Sequence, residues 1–472
     1  MGRVLEADYD QLLLLPPSVE DWVGADHPAR FVRDFVDALD LESLGFAVPE
    51  GRTGRPPYAP GLLLKAWLYG YFRKIRSARA LEAACCDSMG FVWLTGNLGP
   101  DHNTLWRFWH RNREALKAVF RQSVRVAVRA DLVDLALQAV DGTKMAAQAS
   151  TAKAWHKKGL EERLAKLDEA VAEIADQVAR AEEAEAGGVR LPEAMADAAR
   201  RREAIASALA ALREAGEEHL HPDEPEARIM RCAEGRRLGY NAQAVTEASH
   251  RLVVAAEVTG EANDYGQLAP MLREAKETVG RAAAATVADS GYCSGEQLAR
   301  AEAQETPALV TIPKRPHARG PGYAKSAFRY DAQRDAYICP HGQTLPFERT
   351  RRWRGKHESR VYRCAAPDCP RRGECTRDRR GRAVEREPFP EAMERQRRRQ
   401  EREENRLLMR RRGEIAELPF ARVKHLMEFR RWTARGLRNA RAQWAVLCTT
   451  LNLKVLYGLW RTGRLPASAL SG

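Results

Sequence analysis

The chain has 472 residues, too many for one ordinary domain and enough to bury a large core. Its 77 Lys and Arg outnumber 64 Asp and Glu, and the resulting formal charge of +13 favours a polyanionic partner without bearing on fold. No apolar run reaches the roughly 20 residues that span a bilayer, and Glu6, Asp8 and Asp10 stand where a secretion leader would be basic and then apolar. A cytoplasmic protein with no membrane partner is expected, and nine unevenly spaced cysteines suit that reducing compartment, with room for one metal site.

The region to about residue 130 is predicted to be helical. His27 to Leu39 places its apolar residues on one helical face. Arg52-Thr-Gly-Arg-Pro-Pro-Tyr-Ala-Pro60 is a proline-broken loop, followed by an apolar helix from Gly61 to about Lys74 and another over Ser77–Cys86. Cys85 and Cys86 on that helix are expected to be small buried hydrophobes. In Gly99-Pro-Asp-His-Asn-Thr-Leu-Trp-Arg-Phe-Trp-His-Arg-Asn-Arg113, Asn103 or Thr104 is placed as a cap. The exposed side of the helix that follows carries Arg107, His110, Arg111 and Arg113. Such a helix suits either a recognition helix entering a DNA major groove or a solvated basic face on a bundle.

Leu135-Ala-Leu-Gln-Ala-Val-Asp-Gly-Thr-Lys-Met145 is a short apolar run that ends in a carboxylate, Asp141, before a glycine. It is predicted as a buried strand stopping at a turn. The design recurs at Ala285-Thr-Val-Ala-Asp-Ser-Gly291, where Asp289 ends a second apolar run.

Between them, Leu160, Leu164, Leu167, Val171, Ile174 and Val178 form a heptad seam. Gly187–Pro192 breaks it, and Met195, Ala198, Arg202, Ile205, Leu209 and Leu212 repeat the spacing. With 15 acids against 8 bases over 161–218, the segment is acidic where the rest is basic. It is predicted to be an antiparallel helical hairpin, coiled-coil in character, serving as a spacer or a dimerising arm.

Leu238–Thr246 and Leu252–Thr259 flank a polar turn and read as a β-hairpin. Asn263-Asp264 is placed as the cap of a helix from about Tyr265 to Val279. A helix near Gly295–Ala303 and a strand Ala308–Pro313 complete the order strand, strand, strand, helix, strand, helix, strand. That is the order of a ribonuclease-H-like mixed sheet, in which the first and fourth strands are neighbours and would bring Asp141 to Asp289.

From 314 to 412 the composition changes. Cys339-Pro-His341 is followed by Cys364, Cys369 and Cys375, four thiolates able to form a tetrahedral structural zinc site, with His341 as a possible substitute for one of them and four unligated thiols as the alternative. Residues 351–400 hold 17 Lys and Arg against 8 Asp and Glu, a surface suited to phosphates or a solvated linker. Beyond it, Glu414–Lys424 is helical, and Glu417 and Lys424, seven apart, share one face. An apolar helix follows over Ala442–Leu459.

Taken together these motifs resemble the DDE transposases of bacterial insertion sequences. The matching stretches are Leu15-Pro-Pro-Ser18, Pro100–Thr104, Val140-Asp-Gly-Thr-Lys144, Gly239–Gln243, Ala288-Asp-Ser-Gly-Tyr292, the cysteine cluster, Glu417-x-Pro-Phe420, Arg435-Gly-Leu437 and Asn452-Leu453. The resemblance implies that Asp141, Asp289 and Glu417 form the catalytic triad and bind two Mg²⁺ or Mn²⁺ ions. Lys424 would then take the basic position after the Glu in the family's Y-R-E-K signature, although Gly413 stands where that signature has Arg, with Arg411 and Arg412 adjacent, and Ala421 where many relatives have Gly. The expected activity is metal-dependent cleavage of insertion-sequence ends and strand transfer, with double-stranded DNA (ends and target) as partner and a homodimer or higher oligomer on the nucleoid. The alternatives are a DNA-binding regulator without enzymatic activity, or a metal-dependent nuclease of the same fold.

The expected fold class is multidomain α plus α/β. Residues 1–130 are assigned to a helical DNA-binding domain, 131–156 and 222–313 to the ribonuclease-H-like core, and 157–221 to the hairpin insert. Residues 314–412 are assigned to a basic insert with the zinc-ribbon-like cysteine cluster, and 413–472 to helices that complete the core.

Overall fold

The structure is a computed structural model. It describes residues 18–46, 56–151, 154–184, 193–216, 218–313, 322–353, 357–366, 368–466 and 469–470. The Leu15–Pro17 part of the first motif, the Arg52–Arg55 part of the proline loop and the break at Gly187–Pro192 lie outside the described residues, as do the side chains of Ile174, Val178, Met195 and Ala198.

Six helices come first: α1 (Pro28–Asp37), α2 (Pro60–Phe72), α3 (Ala78–Asp87), α4 (Met89–Thr95), α5 (His102–Arg111) and α6 (Arg113–Arg129). Helix α2 is apolar nearly all round, and Leu64, Trp67, Leu68 and Tyr71 are all buried, as expected of a central helix. The Trp67 indole packs 4.8 Å from that of Trp109 and donates to the Leu105 carbonyl at 3.2 Å, which fixes α5 against α2. The cap of α5 is Asp101, whose carboxylate accepts from the Thr104 N–H, so the helix begins two residues earlier than a cap at Asn103 would allow. Ser77 caps α3 through the Ala80 N–H.

The sheet region runs β1 (Gln138–Ala146), β2 (Trp155–His156), α7 (Lys157–Ala184), α8 (Glu193–Ala215), β3 (His219–Leu220), β4 (Arg228–Cys232), β5 (Gly235–Glu247), β6 (Val253–Thr259), α9 (Leu268–Val279), β7 (Thr286–Ala288), α10 (Gly295–Ala303) and β8 (Leu309–Val310). Spatially, β5, β1, β7 and β8 are neighbours in that order, and the outer edge of β5 is shared by β6 and β4. Strands β4, β5, β6 and β1 pair antiparallel, whereas β1, β7 and β8 are parallel. Helices α7 and α8 pack on each other, and their root is closed by the β2–β3 pair and a small cluster of Leu160, Leu209, Leu212 and Leu220.

Cys85 is buried on α3 as expected but Cys86 is exposed, and two expectations fail in the sheet. Strand β1 does not stop at Asp141: it pairs with β5 as far as Ala146, although its parallel partner β7 ends opposite Val140. Gly142 therefore sits in a strand, not in a turn. A Cβ there would meet the Gln243 side-chain amide and Asp264 Oδ1 at 2.8 Å, so the glycine makes room for a close approach. Asp264, expected to cap the next helix, does not do so: α9 begins at Leu268, and its cap position, Gln267, makes no side-chain bond.

A second sheet follows, β9 (Arg329–Asp331), β10 (Ala336–Ile338), β11 (Thr344–Trp353), β12 (His357–Arg363) and β13 (Ala383–Arg386), an antiparallel meander with the one-turn helix α11 (Arg372–Cys375) between its last strands. Much of the basic stretch is thus folded around a core of Phe328, Tyr337, Leu345, Tyr362 and Val384. Helices α12 (Pro390–Glu401) and α13 (Glu403–Arg410) then return to pack on β8, α10 and β7, so the chain rejoins the first sheet before residue 412. It ends with α14 (Arg412–Ala421), a π turn over Arg422–Leu426 and α15 (Leu437–Arg461).

Helix α15 carries the N-terminal helices onto the sheet. Asn452 brackets the backbone of Val253, accepting from its N–H at 2.9 Å and donating to its carbonyl at 2.8 Å, while the Trp444 indole donates to the Gln243 carbonyl at 2.8 Å. One hydrophobic core runs from Phe31 through Phe120 and Val254 to Leu453, so the helical region and the sheet are not separate cores. No helix among the described residues is long and apolar enough to cross a membrane.

Candidate active site

Alternation along the strands fixes which way the acids point. Leu137 and Ala139 of the β1 approach, Val287 of β7 and Leu309 of β8 pack together against Ile415 and Ala416 of α14. Two residues on, Asp141 and Asp289 continue the same face. Because Val140 pairs with Ala288, the two aspartates follow neighbouring residues at the end of the parallel strands.

Asp141 is mostly buried, with a side chain 17% exposed, and its Oδ2 lies 3.3 Å from Arg412 Nη1. The other end of the same guanidinium lies 3.8 Å from Glu417 Oε1. Glu417 is 69% exposed and forms the open rim of the site. One cationic side chain thus lies between two of the three acids. Burial pushes the Asp141 carboxyl up to about 6, opposed by the Gly142 N–H and Arg412 and reinforced by the charges of Asp289 and Asp264. Asp289 accepts from the Gly291 N–H at 2.8 Å and so starts the turn Ser290–Tyr292. Lys424, in the π turn, is half-buried and donates to Thr143 Oγ1. Burial lowers its pKa, while Cys232 and Asp141 partly offset this.

Sequence reasoning noted Arg412 only as a neighbour of Gly413, and it missed Asp264 and the polar residues around it. Asp264 takes Lys144 Nζ and Asn241 Nδ2 at 2.8 Å each and Gln243 Nε2 at 2.7 Å. Its carboxylate also borders Gly142 and Gly291, the glycines that follow the two site aspartates. The buried Tyr292 hydroxyl donates to Gln243 Oε1, tying the Asp289 turn to β5. Burial and the negative charges of Asp264, Asp141 and Asp289 push that phenol well above its ordinary range. The signal for Arg412 was its place beside Gly413 in the helix of Glu417. Nothing in the sequence distinguished Asp264 from a cap.

Asp141 and Asp289 are already hydrogen-bonded by the protein, Glu417 meets only Arg412 at 3.8 Å, and among the described residues no group of three or more His, Cys, Asp or Glu stands ready to hold a metal ion. The arrangement nonetheless accepts positive charge: the Arg412 guanidinium occupies the space between Asp141 and Glu417, and oxygen donors of this kind suit hard divalent cations.

Cys339, Cys364, Cys369 and Cys375 line one cavity of about 20 Å³, together with His341 and Tyr323. Cys339 Sγ accepts from the Gln343 N–H at 3.2 Å. Burial raises the Cys375 thiol pKa, Arg382 opposes the rise, and the other three cysteines add to it. His341 is engaged elsewhere, its Nε2 lying 2.7 Å from the Tyr323 hydroxyl.

Of the basic residues on α5, Arg107 and Arg111 are exposed, beside an exposed Trp106 whose ring lies 4.1 Å from that of His110. Arg113 is not on that open side. The helix breaks at Asn112, and Arg113 starts α6, where its Nη1 donates to Asn439 Oδ1 of α15 at 3.2 Å and burial lowers its pKa.

Two family models match the chain. One, described as Transposase domain (DUF772), covers residues 17–111, and the other, described as Transposase DDE domain, covers residues 338–457. The second span holds the cysteines, Arg412, Glu417 and Lys424, while Asp141 and Asp289 lie between the two spans. No curated protein and no solved structure matches.

Proposed function

Because this chain is a DDE-type transposase of an insertion element, we propose that Asp141, Asp289 and Glu417 are its three catalytic acids. The enzyme carries out metal-dependent cleavage and transfer of DNA strands. The observation that supports this assignment is Arg412, lodged between Asp141 and Glu417, with Asp289 at the end of the adjoining parallel strand.

In this reading the acids hold two Mg²⁺ or Mn²⁺ ions, which when bound activate the attacking oxygen and stabilise the leaving one. Asp141 and Asp289 are held by short backbone contacts on adjacent strands, so their oxygens are aimed before DNA arrives. Arg412 keeps the mutual repulsion of the acids in check and must release Asp141 and Glu417 when they take up other charge. Lys424 stands beside Thr143, two residues past Asp141, where its ammonium faces a phosphate brought to the acids. Water attacks first and nicks the element end, and the freed 3′-hydroxyl attacks target DNA. No protein nucleophile enters.

We read the sheet order β6-β5-β1-β7-β8, three antiparallel strands continued by two parallel ones, as a ribonuclease-H-like core, with α7–α8 as an insert and 314–412 as a second. The four cysteines that line one small cavity are assigned to a single structural zinc ion, which they would have to draw closer together to hold. Arg107 and Arg111 on the open side of α5 are assigned to the DNA ends, with the chain acting as a dimer or larger oligomer that brings two ends together. A nuclease of the same fold would cleave without joining. The test is therefore transfer of a labelled element end into a target plasmid with Mg²⁺. Joined product lost on Asp141→Asn, Asp289→Asn and Glu417→Gln supports the assignment, and joining by any one of these variants at the wild-type rate removes that acid from it.

A further inference from the structure

The parallel pairing of β1, β7 and β8 ends in a row. Val140 pairs with Ala288 and Ala288 with Val310, so Asp141, Asp289 and Thr311 follow one another across the sheet. Past Thr311, Ile312 lines an open cleft of about 490 Å³ whose other walls are Arg397, Gln400 and Glu401 of α12 and Arg406, Met409 and Arg410 of α13. Strand neighbours lie ~4.8 Å apart, so this cleft opens about two strand spacings from Asp141 on the same sheet edge, where open α/β sheets receive their ligands.

The walls are built in. Buried Gln396 of α12 donates to the Val310 carbonyl at 2.7 Å, and the Ile312 N–H donates to Gln400 Oε1 at 3.3 Å. Met409 packs against the cluster of Leu137, Val287 and Leu309 from which the acids emerge, and Arg410 is two residues from Arg412. Three arginines face one acid, Glu401. Arg397 and Arg406 meet carboxylates only at 3.8 and 3.6 Å, and among the described residues no carboxylate lies within 4 Å of Arg410. The neighbouring Arg395 and Arg399 are, by contrast, neutralised by Glu302 at 2.6 and 2.9 Å. Three weakly paired arginines of α12 and α13 thus line the cleft, while exposed Arg398 lies outside it.

We infer that this cleft is a track for the phosphodiester backbone of a DNA strand entering or leaving the acids, with Arg406 and Arg410 as its principal phosphate contacts. The inference rests on the assignment of the acids as the cleavage site, but it concerns binding and is measured without cleavage. The strand belongs either to the element end or to target DNA, and both present the same backbone.

The test uses the full chain carrying Asp141→Asn, so that DNA stays intact, and two probes: a duplex with the element end and its flank, and a duplex of unrelated sequence. Each phosphate contact adds about 0.9 to the slope of log affinity against log salt. Arg406→Ala with Arg410→Ala should flatten that slope by about 1.8, and Arg406→Gln with Arg410→Gln should do the same. Flattening with the end probe alone assigns the track to the element end, and flattening with both assigns it to strands of any sequence, target included. Arg273→Ala with Arg281→Ala, two exposed arginines at α9, should leave the slope unchanged. An unchanged slope in the cleft variants, or equal flattening by the α9 pair, would overturn the inference. Cleavage by Asp141→Asn would instead sink the assignment of the acids and leave the slope result standing.

Discussion

Asp141→Asn separates what the acid does for the reaction from what it does to the fold. Asparagine keeps the size and removes the charge. In the folded chain burial raises the Asp141 carboxyl from its ordinary 3.8 to about 6, and Arg412 and the Gly142 N–H only partly counter it. An acid whose folded value lies above its unfolded value opposes folding when ionised. The opposition is complete above pH 6, declines as pH falls from 6 towards 3.8, and is absent below. At about 1.4 kcal/mol per pKa unit, the metal-free protein at pH 8 is less stable by up to ~3 kcal/mol than it would be with a neutral group there. The side chain is only 17% exposed, so solvent screening reduces this little. The expected outcome is a variant that melts several degrees higher than wild type in EDTA at pH 8, with the gap closing near pH 4 to 5. Excess Mg²⁺ should narrow the gap by stabilising wild type more, since a ligand that binds only the native state adds to its stability. Nicking of supercoiled plasmid by the same preparations should fall to background. An Asn variant that melts below wild type in EDTA at pH 8 would refute the claim that the buried charge opposes folding. One that nicks normally would refute its role in the site.

Gly142→Ala should weaken both fold and reaction, because the added methyl meets the Gln243 amide and Asp264 Oδ1 at 2.8 Å; overpacking of this kind costs about 1–3 kcal/mol, readable as a lower urea midpoint, and an unchanged midpoint would mean that Asp264 yields freely. Purified wild type should contain about one zinc per chain, lost in Cys364→Ser, and the variant should be cut by protease within 329–386 while the first sheet stays protected; equal zinc in both forms would leave the cysteines as plain thiols. Arg107→Ala with Arg111→Ala should weaken binding of the element end and narrow its preference over unrelated DNA at fixed salt, whereas Arg113→Ala should instead lower stability through its lost bond to Asn439. End binding untouched by the first pair would move recognition away from α5.

Local chemistry was legible in the sequence because it depends on neighbours along the chain. The apolar runs before Asp141 and Asp289, the apolar helix at Gly61, the hairpin at 238–259 and the C-terminal helix each carry their own periodicity, and the structure has an element at each. The family resemblance was equally local, resting on short motifs in order. Where the sequence misled, the deciding contact came from elsewhere. Asp-Gly is turn chemistry by itself, yet Gly142 lies within a strand because β5, about a hundred residues away, pairs with it and presses Gln243 against it. Asn263-Asp264 has the composition of a cap, yet Lys144, Asn241 and Gln243 offer Asp264 three donors, more than the start of α9 would. Arg113 shares a basic run with Arg107 and Arg111, but a one-residue helix break turns it towards α15. Residue type and periodicity therefore determined the elements and singled out the two aspartates that follow apolar runs. Only the register of β1 against β7, and the packing of α14 over them, decided that Arg412 would lie between Asp141 and Glu417, because the energy of a buried charge depends on its surroundings in space and not on its place in the chain.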